Sequence, residues 1–263
     1  MDRINELAKN ELTLIDKELS NLFTNSNNIY AELKNFLESP TKRIRSLLAI
    51  LYLKAINIEP NIDLLVVGEL IHNASLLHDD VIDNAEIRRS KKTLWKIFNS
   101  HISILSGDFL LSLATEKLIN IQNFEILKQF QNCIKKMSEA EILQYSLRGQ
   151  LPTKEQYLKI IEGKTAELFV TILKTNCLFD NDISSKAERF AMNFGILFQI
   201  KNDLEKQSAQ TDLDNNIYTL KDIIGIEKTK ILIDNYQEEI RKDIKELPRN
   251  IYSEGLENLL GKI

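Results

Sequence analysis

The chain has 263 residues, of which 43% are apolar and 27% charged, and its formal net charge at pH 7 is −4. This length suits one large domain, and the apolar fraction is enough for a substantial core. The small acidic charge argues against a nucleic-acid-binding protein, which usually carries a basic excess. The N-terminus is polar from Asp2 onward, and no apolar run reaches the roughly 18 residues of a membrane span, so we expect a soluble, cytoplasmic protein without a signal peptide.

Glycine and proline are scarce, with 8 and 4 residues against roughly 30 together in an average chain of this length. The apolar residues recur at helical spacing, as between Asp63 and Val81, where they step by three and four positions. Further helical stretches are predicted at about 2–23, 43–57, 101–118, 124–147, 154–177, 184–206 and 226–246. We therefore expect residues 1–263 to form a single all-α domain, a bundle of about ten helices. Cys133 and Cys177 lack metal-ligand spacing and are expected to be buried, reduced thiols.

The first chemical feature along the chain is a basic cluster, Lys42-Arg43-Ile44-Arg45, at the start of a predicted helix. Taken alone, a solvated basic turn is enough to explain it. His72 follows on the next helix, seven residues before Asp79 and therefore about two turns away on the same side. A lone histidine on a helix is more often structural than functional.

Three carboxylates, Asp79, Asp80 and Asp83, lie at the end of the helix that contains His72. At about 100° per residue, Asp79 and Asp83 are roughly 40° apart on one face, with Asp80 beside them. Like charges at this spacing repel, so the cluster costs stability unless a cation binds it. Carboxylate oxygens that share a site with substrate phosphates are what Mg²⁺ prefers. The pattern favours a metal site, although a solvated helix end rich in Asp has the same letters.

Cationic residues follow the carboxylates, namely Arg88, Arg89, Lys91 and Lys92. Guanidinium groups fork onto phosphate oxygens, so carboxylates followed by paired arginines suit a metal-bridged polyphosphate. Further along, Gly163-Lys164-Thr165-Ala166 lies within an apolar helical stretch. A lysine and a threonine there can face a diphosphate, although a lysine that extends its amine to solvent is the default.

Taken in order, these segments resemble the trans-isoprenyl diphosphate synthase (polyprenyl synthetase) family over nearly the whole chain. The matching segments are Lys42–Arg45, Glu69–Asp83, Arg88-Arg89, Gly107–Leu111, Glu141–Gln144, Lys164–Ala166 and Phe198–Ile200. Each is weak alone, but together they follow the family's order and spacing. The resemblance implies an isoprenoid synthase fold around a central apolar cavity, with long-chain, octaprenyl- or heptaprenyl-type relatives. It also implies a Mg²⁺-dependent prenyltransferase that joins isopentenyl diphosphate to an allylic diphosphate, head to tail and in trans, giving a polyprenyl diphosphate.

The resemblance further implies a role for each matching residue. Two or three Mg²⁺ ions that bridge the allylic diphosphate would be held by Asp79, Asp80, Asp83 and Asp203. The allylic diphosphate itself would contact Arg88, Lys164 and Lys201. Isopentenyl diphosphate would be held by Lys42, Arg45, His72 and Arg89. Thr165 and Gln199 would direct oxygens at the allylic carbon.

The chain departs from the family pattern at its second Asp-rich motif. The family normally has DDxxD there, whereas this chain reads Asn202, Asp203, Leu204, Glu205 and Lys206. Downstream, Asn216 and Ile217 stand where the family usually has Gly-Lys. Two functions therefore stay open: a working synthase, or a weakly active or non-catalytic subunit of a heteromeric synthase. A class I terpene cyclase shares the fold and DDxxD but has no isopentenyl diphosphate to hold, so the Lys42, Arg45 and His72 set disfavours it.

The residues before Asp79 bear on the length of the product. Short-chain members of the family commonly carry an aromatic residue four or five positions before the first Asp, where this chain has Ser75 and Ala74. Both are small, so we expect a product beyond C20 that grows past Ala74 towards Ile71 and Val67. The expected primer is farnesyl or geranyl diphosphate, and a long product can be passed to a membrane. The expected assembly is a homodimer.

Overall fold

The computed structural model describes residues 2–23, 27–39, 41–205 and 217–263, which are predominantly helical. The helices are α1 (Asp2–Leu7), α2 (Lys9–Asn21), α3 (Asn28–Leu37), α4 (Ile44–Ala55), α5 (Ile62–Ile82), α6 (Leu94–Ile97), α7 (Ser100–Asn120), α8 (Phe124–Ser146), α9 (Lys154–Ile161), α10 (Glu167–Thr175), α11 (Asn181–Glu205), α12 (Leu220–Ile224), α13 (Ile226–Lys245) and α14 (Ile251–Leu260). A π-helical turn, Glu162–Ala166, joins α9 to α10. A short antiparallel hairpin, β1 (Ile87–Arg88) and β2 (Lys91–Lys92), follows α5.

The expected all-α fold is confirmed, and the long predicted stretches match the long helices to within a few residues. Helices α3 and α14 were not predicted, because each has only ten residues and periodicity is counted over windows of 11 to 18. The sequence predicts one continuous helix over 154–177, but in the structure the π turn interrupts it. None of the helices in the described ranges is long and apolar enough to cross a membrane.

Helix α5 lies at the centre of the fold. Most of its residues from Leu64 to Leu77 are buried, on all sides of the helix, as expected for a helix that is hydrophobic all round. The side chain of Asn61 caps its start by accepting a hydrogen bond from the Leu64 amide. Its other end carries Asp79, Asp80 and Asp83, so a helix of the buried core presents the candidate site.

Helix α11 approaches the π turn closely at Gly195. A Cβ at this position would lie 2.5 Å from the Cα of Ala166, which is closer than non-bonded carbons approach. Glycine therefore lets the backbone of α11 pack directly against the π turn that carries Lys164 and Thr165. Elsewhere in the core, Cys133 and Cys177 are buried free thiols, as predicted, and burial raises the pKa of each to about 12.

Candidate active site

A cavity of about 780 Å³ lies against the C-terminal half of α5 and is bounded by α4, α8, the π turn and α11. Most of the predicted site residues line it, namely Lys42, Arg45, His72, Asp79, Asp83, Arg88, Arg89, Lys164, Thr165, Gln199 and Asp203. Asp80 and Lys201 are not among the described residues that line it. Lys206 and Asn216 lie outside the described residues.

Asp79 lies beside Lys164 at the cavity wall. The Nζ of Lys164 lies 3.8 Å from Oδ2 of Asp79 and 2.5 Å from Oε2 of Glu141, and it donates to Oε1 of Gln144 at 2.8 Å. Burial raises the pKa of Asp79 to about 6, an effect that Lys164 opposes and Glu141 reinforces. Burial alone would lower the pKa of Lys164, but Asp79 and Glu141 outweigh it and the net shift is upward. Two carboxylates thus share one lysine, which leaves negative charge for a further cation.

The other two carboxylates of α5 pair with arginines. Arg148 Nη2 lies 2.5 Å from Oδ1 of Asp83, and Arg88 Nε donates to Oδ1 of Asp80 at 2.6 Å. Asp80 is fully buried, and its Oδ2 accepts no hydrogen bond from any described residue. Burial raises the pKa of Asp80, and Arg88 opposes the shift. Carboxylates at a helix C-terminus are unfavourable. Arg88 and Arg148 therefore offset the repulsion that the sequence predicts among these carboxylates.

Magnesium would need oxygens beyond those of the protein. No group of three or more His, Cys, Asp or Glu side chains within the described residues is arranged to hold a metal ion. Asp79 and Asp83 nevertheless offer two cavity-facing carboxylates from adjacent turns of one helix. Mg²⁺ commonly binds through one or two carboxylates together with substrate phosphates and water. The donor set at this end of α5 fits that kind of site.

A second part of the cavity, around His72, is lined by arginines. Burial lowers the pKa of His72 well below its ordinary value, and the charges of Arg45, Arg89, Arg88 and Arg43 lower it further. The imidazole is therefore neutral at pH 7 and has four guanidinium groups nearby. Excess positive charge at a partly desolvated wall attracts an anion with several oxygens, and arginine suits phosphate oxygens in particular.

A hydrogen-bonded chain lines a third wall. Thr165 Oγ1 donates to Oε1 of Gln199 at 2.8 Å, and Gln199 Nε2 donates to Oδ1 of Asp203 at 2.8 Å. Tyr157 completes the chain by donating its hydroxyl to Oδ2 of Asp203 at 2.7 Å. Burial, followed by the charge of Asp203, raises the pKa of Tyr157, so the phenol keeps its proton. The π turn holds Thr165 at the cavity, and such turns occur frequently at functional sites.

Several residues that line the cavity or pair with its carboxylates had no role predicted from the sequence. Glu141 and Gln144 belonged to a matching segment but carried no expected function, and Arg148 and Tyr157 gave no signal at all. The expected path of the product past Ala74, Ile71 and Val67 is not the one that the cavity takes. Those three residues are buried in the core, whereas the neighbouring Ser75 and Leu76 line the cavity.

The chain resembles known proteins over most of its length. The model of the polyprenyl synthetase family matches residues 26–257. The chain belongs to this family. It is 36% identical over 209 residues to a prenyl transferase of Cyanidium caldarium, covering 75% of this chain and 64% of that protein. It is 32% identical over 191 residues to the all-trans-nonaprenyl-diphosphate synthase (geranyl-diphosphate specific) of Rhodobacter capsulatus, covering 70% of this chain and 59% of the relative. The matches thus span less than two thirds of the length of these polyprenyl synthetase relatives.

The fold is also that of solved members of the family. A decaprenyl diphosphate synthase from Rhodobacter capsulatus superposes with a TM-score of 0.90, covering 99% of this chain and 97% of that structure. Sequence identity in this superposition is 20%, so it bears on the fold alone.

Proposed function

We propose that the protein is a prenyltransferase that condenses isopentenyl diphosphate with an allylic diphosphate to give a trans-polyprenyl diphosphate. The observation that carries the proposal is the division of one cavity into two parts. The wall around His72, with Lys42, Arg45 and Arg89, suits a diphosphate held by cations alone. The wall with Asp79, Asp83 and Lys164 suits a second diphosphate, held through a metal as well as a cation.

The reaction breaks the C1–O bond of the allylic diphosphate and forms a bond from C1 to the terminal alkene carbon of isopentenyl diphosphate. A proton is then lost, and the departing diphosphate is the proposed base. Mg²⁺, held by Asp79 and Asp83, would supply charge neutralisation for the leaving diphosphate. Lys164 and Arg88 add positive charge on the same group. The metal-ligand roles expected of Asp80 and Asp203 stay predictions, because both carboxylates already accept hydrogen bonds from other side chains. The diphosphate contact expected of Lys201 also stays a prediction, because Lys201 is not among the described residues that line the cavity.

Thr165 and Gln199 act on the carbon skeleton. The hydroxyl of Thr165 is fixed by its hydrogen bond to Gln199, which is held in turn by Asp203. Oxygen dipoles fixed in this way can stabilise positive charge that develops on the allylic carbon, without reorganisation during the reaction. The cations around His72 hold the second substrate with its double bond close to that carbon, which is a positioning effect.

The product is proposed to be longer than C20. Ser75, four residues before Asp79, lines the cavity and is small, so no bulky side chain closes the path at this position. We further propose a homodimer, since α7 and α8 carry exposed apolar side chains at Leu105 and Tyr145. Light scattering on the purified chain would test the dimer.

The deciding experiment is incubation of the purified chain with Mg²⁺, isopentenyl diphosphate and farnesyl diphosphate, with products separated by chromatography. A series of longer prenyl diphosphates supports the proposal. Product only in the presence of a second subunit would favour the heteromeric alternative. A cyclic hydrocarbon formed without isopentenyl diphosphate would instead favour a cyclase.

A further inference from the structure

Arg43, the residue before α4, has an unusual backbone conformation and donates three hydrogen bonds within the protein. Its backbone is left-handed, with φ 38° and ψ 47°, which is uncommon for a residue other than glycine. Its Nε donates to Oδ1 of Asp16 at 2.7 Å, its Nη1 to Oε2 of Glu69 at 2.9 Å, and its Nη2 to the carbonyl oxygen of Leu37 at 3.3 Å. The side chain is only 8% exposed. All three guanidinium nitrogens of Arg43 thus donate to protein acceptors.

Glu69 is the matching residue on α5. It is buried, and its second carboxylate oxygen accepts a hydrogen bond from the Ser46 hydroxyl at 2.6 Å. Both carboxylate oxygens of Glu69 therefore accept hydrogen bonds from the start of α4, one from Arg43 at its N-cap and one from Ser46 in its first turn. His72 follows Glu69 by three residues, about one turn along the same helix.

Lys42 and Arg45, on either side of Arg43, are not held by such hydrogen bonds to described residues and are available to bind a ligand. Lys42 is exposed and makes no hydrogen bond or ion pair with any described residue. Arg45 has a buried Nε without a hydrogen-bond partner, and its guanidinium carbon lies 4.9 Å from the centre of the Phe169 ring. All three cations of the basic cluster line the cavity, but Arg43 is held by acceptors among the described residues whereas Lys42 and Arg45 are not.

We propose that Arg43 and Glu69 are positioning residues: their buried ion pair fastens the start of α4 to α5 and so fixes Lys42 and Arg45 relative to His72. The pair would act on isopentenyl diphosphate through those three side chains and not by contact. This inference rests on the proposed function, because it takes the His72 wall as the isopentenyl diphosphate site. It predicts an effect on one substrate only, since Asp79, Asp83 and Lys164 are held by separate contacts.

The test uses Glu69→Gln and Arg43→Lys in the full chain. Glu69→Gln removes the charge and keeps an oxygen for Ser46, while Arg43→Lys keeps the charge and loses the fork that reaches several acceptors. We expect KM and Kd for isopentenyl diphosphate to rise roughly tenfold or more in Glu69→Gln, because small misplacements of binding groups are costly. KM for the allylic diphosphate should stay within about twofold, and Arg43→Lys should be intermediate.

The matched control is Asp16→Asn. Asp16 pairs with the same guanidinium, but its side chain is 60% exposed, and exposed ion pairs contribute little. This variant should keep both KM values. Because removing one partner of a buried pair can destabilise the fold, circular dichroism should first show that Glu69→Gln is folded. Ser46→Ala, which removes only the hydrogen bond to Glu69, gives a milder version of the same test.

Three outcomes would separate the inference from the function on which it rests. A wild type that turns over isopentenyl diphosphate, with folded Glu69→Gln and Ser46→Ala variants whose isopentenyl diphosphate Kd is unchanged, overturns the positioning role alone. An equal rise in KM for both substrates also overturns it, because a general structural effect would then explain the pair. A wild type without turnover and without measurable isopentenyl diphosphate binding overturns the proposed function itself.

Discussion

Arg148 Nη2 lies 2.5 Å from Oδ1 of Asp83, so the last carboxylate of the α5 cluster is paired with a cation from the turn after α8. The guanidinium carbon also lies 4.5 Å from the centre of the Tyr145 ring. The two paired side chains are 18% and 23% exposed, so solvent screens the pair only in part. Asp83 is also a proposed magnesium ligand, and Arg148 therefore stands where it competes with the metal for that carboxylate.

We predict that Arg148→Gln lowers the Mg²⁺ concentration needed for half-maximal turnover. A partly screened ion pair of roughly 1 kcal/mol corresponds to about a fivefold change in metal affinity. Mn²⁺ binding, followed by electron paramagnetic resonance with an allylic diphosphate analogue present, gives a readout independent of turnover. The control is Lys135→Gln, which removes a cation that is 72% exposed on α8 and pairs with Glu139. A higher metal requirement in Arg148→Gln would show that Arg148 orients Asp83 and does not compete for it.

Asp79→Ala should reduce turnover by about 10²- to 10³-fold, because the variant loses a group that stabilises charge through the metal. Lys164 would keep Glu141 as a partner, so the fold should survive and the melting temperature should change little. Asp63→Ala is the matched control, since Asp63 lies at the other end of α5 and pairs with Lys117 on the surface. Near-normal turnover in Asp79→Ala would rule out the metal-ligand assignment.

The sequence predicted the parts of the site that lie close together along one helix. Helical geometry placed Asp79 and Asp83 on a common face, and both line the cavity. The same geometry could not show that Asp80, about 100° further round, is buried against Arg88. Arg148 and Tyr157 meet Asp83 and Asp203 across 65 and 46 residues of chain. Such contacts are set by tertiary packing, and local periodicity carries no information about them.

The sequence pattern also could not show which of Ser75 and Ala74 lines the cavity. Helix α5 is buried nearly all round, so its apolar pattern does not tell which of two neighbours faces the cavity. The structure gives that position to Ser75 and places Ala74 in the core with no exposed surface. The sequence-based expectation named Ala74, whereas the structure places Ser75 at the cavity wall, so the two positions give different predictions for product length.

Ser75→Phe should shorten the prenyl product, because an aromatic ring at this position would enter the cavity. Ser75→Ala should leave the distribution of chain lengths unchanged, and Ser75→Leu should be intermediate. Ala74→Phe should instead overpack the core, at a cost of about 1–3 kcal/mol in stability, without shortening the product. Chain lengths read by reversed-phase chromatography and melting temperatures for the four variants check this. Shortening in Ala74→Phe but not in Ser75→Phe would mean that the product grows along the path first expected from the sequence.

Asn202 is the position at which the second Asp-rich motif can be tested. It lines the cavity, and its amide offers a carbonyl oxygen without charge. Asp203 lines the cavity too, but both of its oxygens already accept hydrogen bonds, from Gln199 and Tyr157. Glu205 is exposed and is not among the described residues of the cavity wall. This wall therefore has less negative charge for a metal than a motif with three aspartates would have.

We predict that Asn202→Asp lowers the Mg²⁺ concentration needed for half-maximal turnover, because a carboxylate adds charge at the cavity wall where an amide adds none. Asn202→Ala is the matched control and should raise the requirement or leave it unchanged. The double variant with Lys206→Asp restores the family's aspartates at both positions and should lower the requirement further. If the double variant needs as much Mg²⁺ as the wild type and turns over no faster, the second motif does not limit activity. If the wild type is inactive at every Mg²⁺ concentration and the double variant is active, the chain fits the non-catalytic subunit better than the working synthase, because its own second motif would then be the missing part.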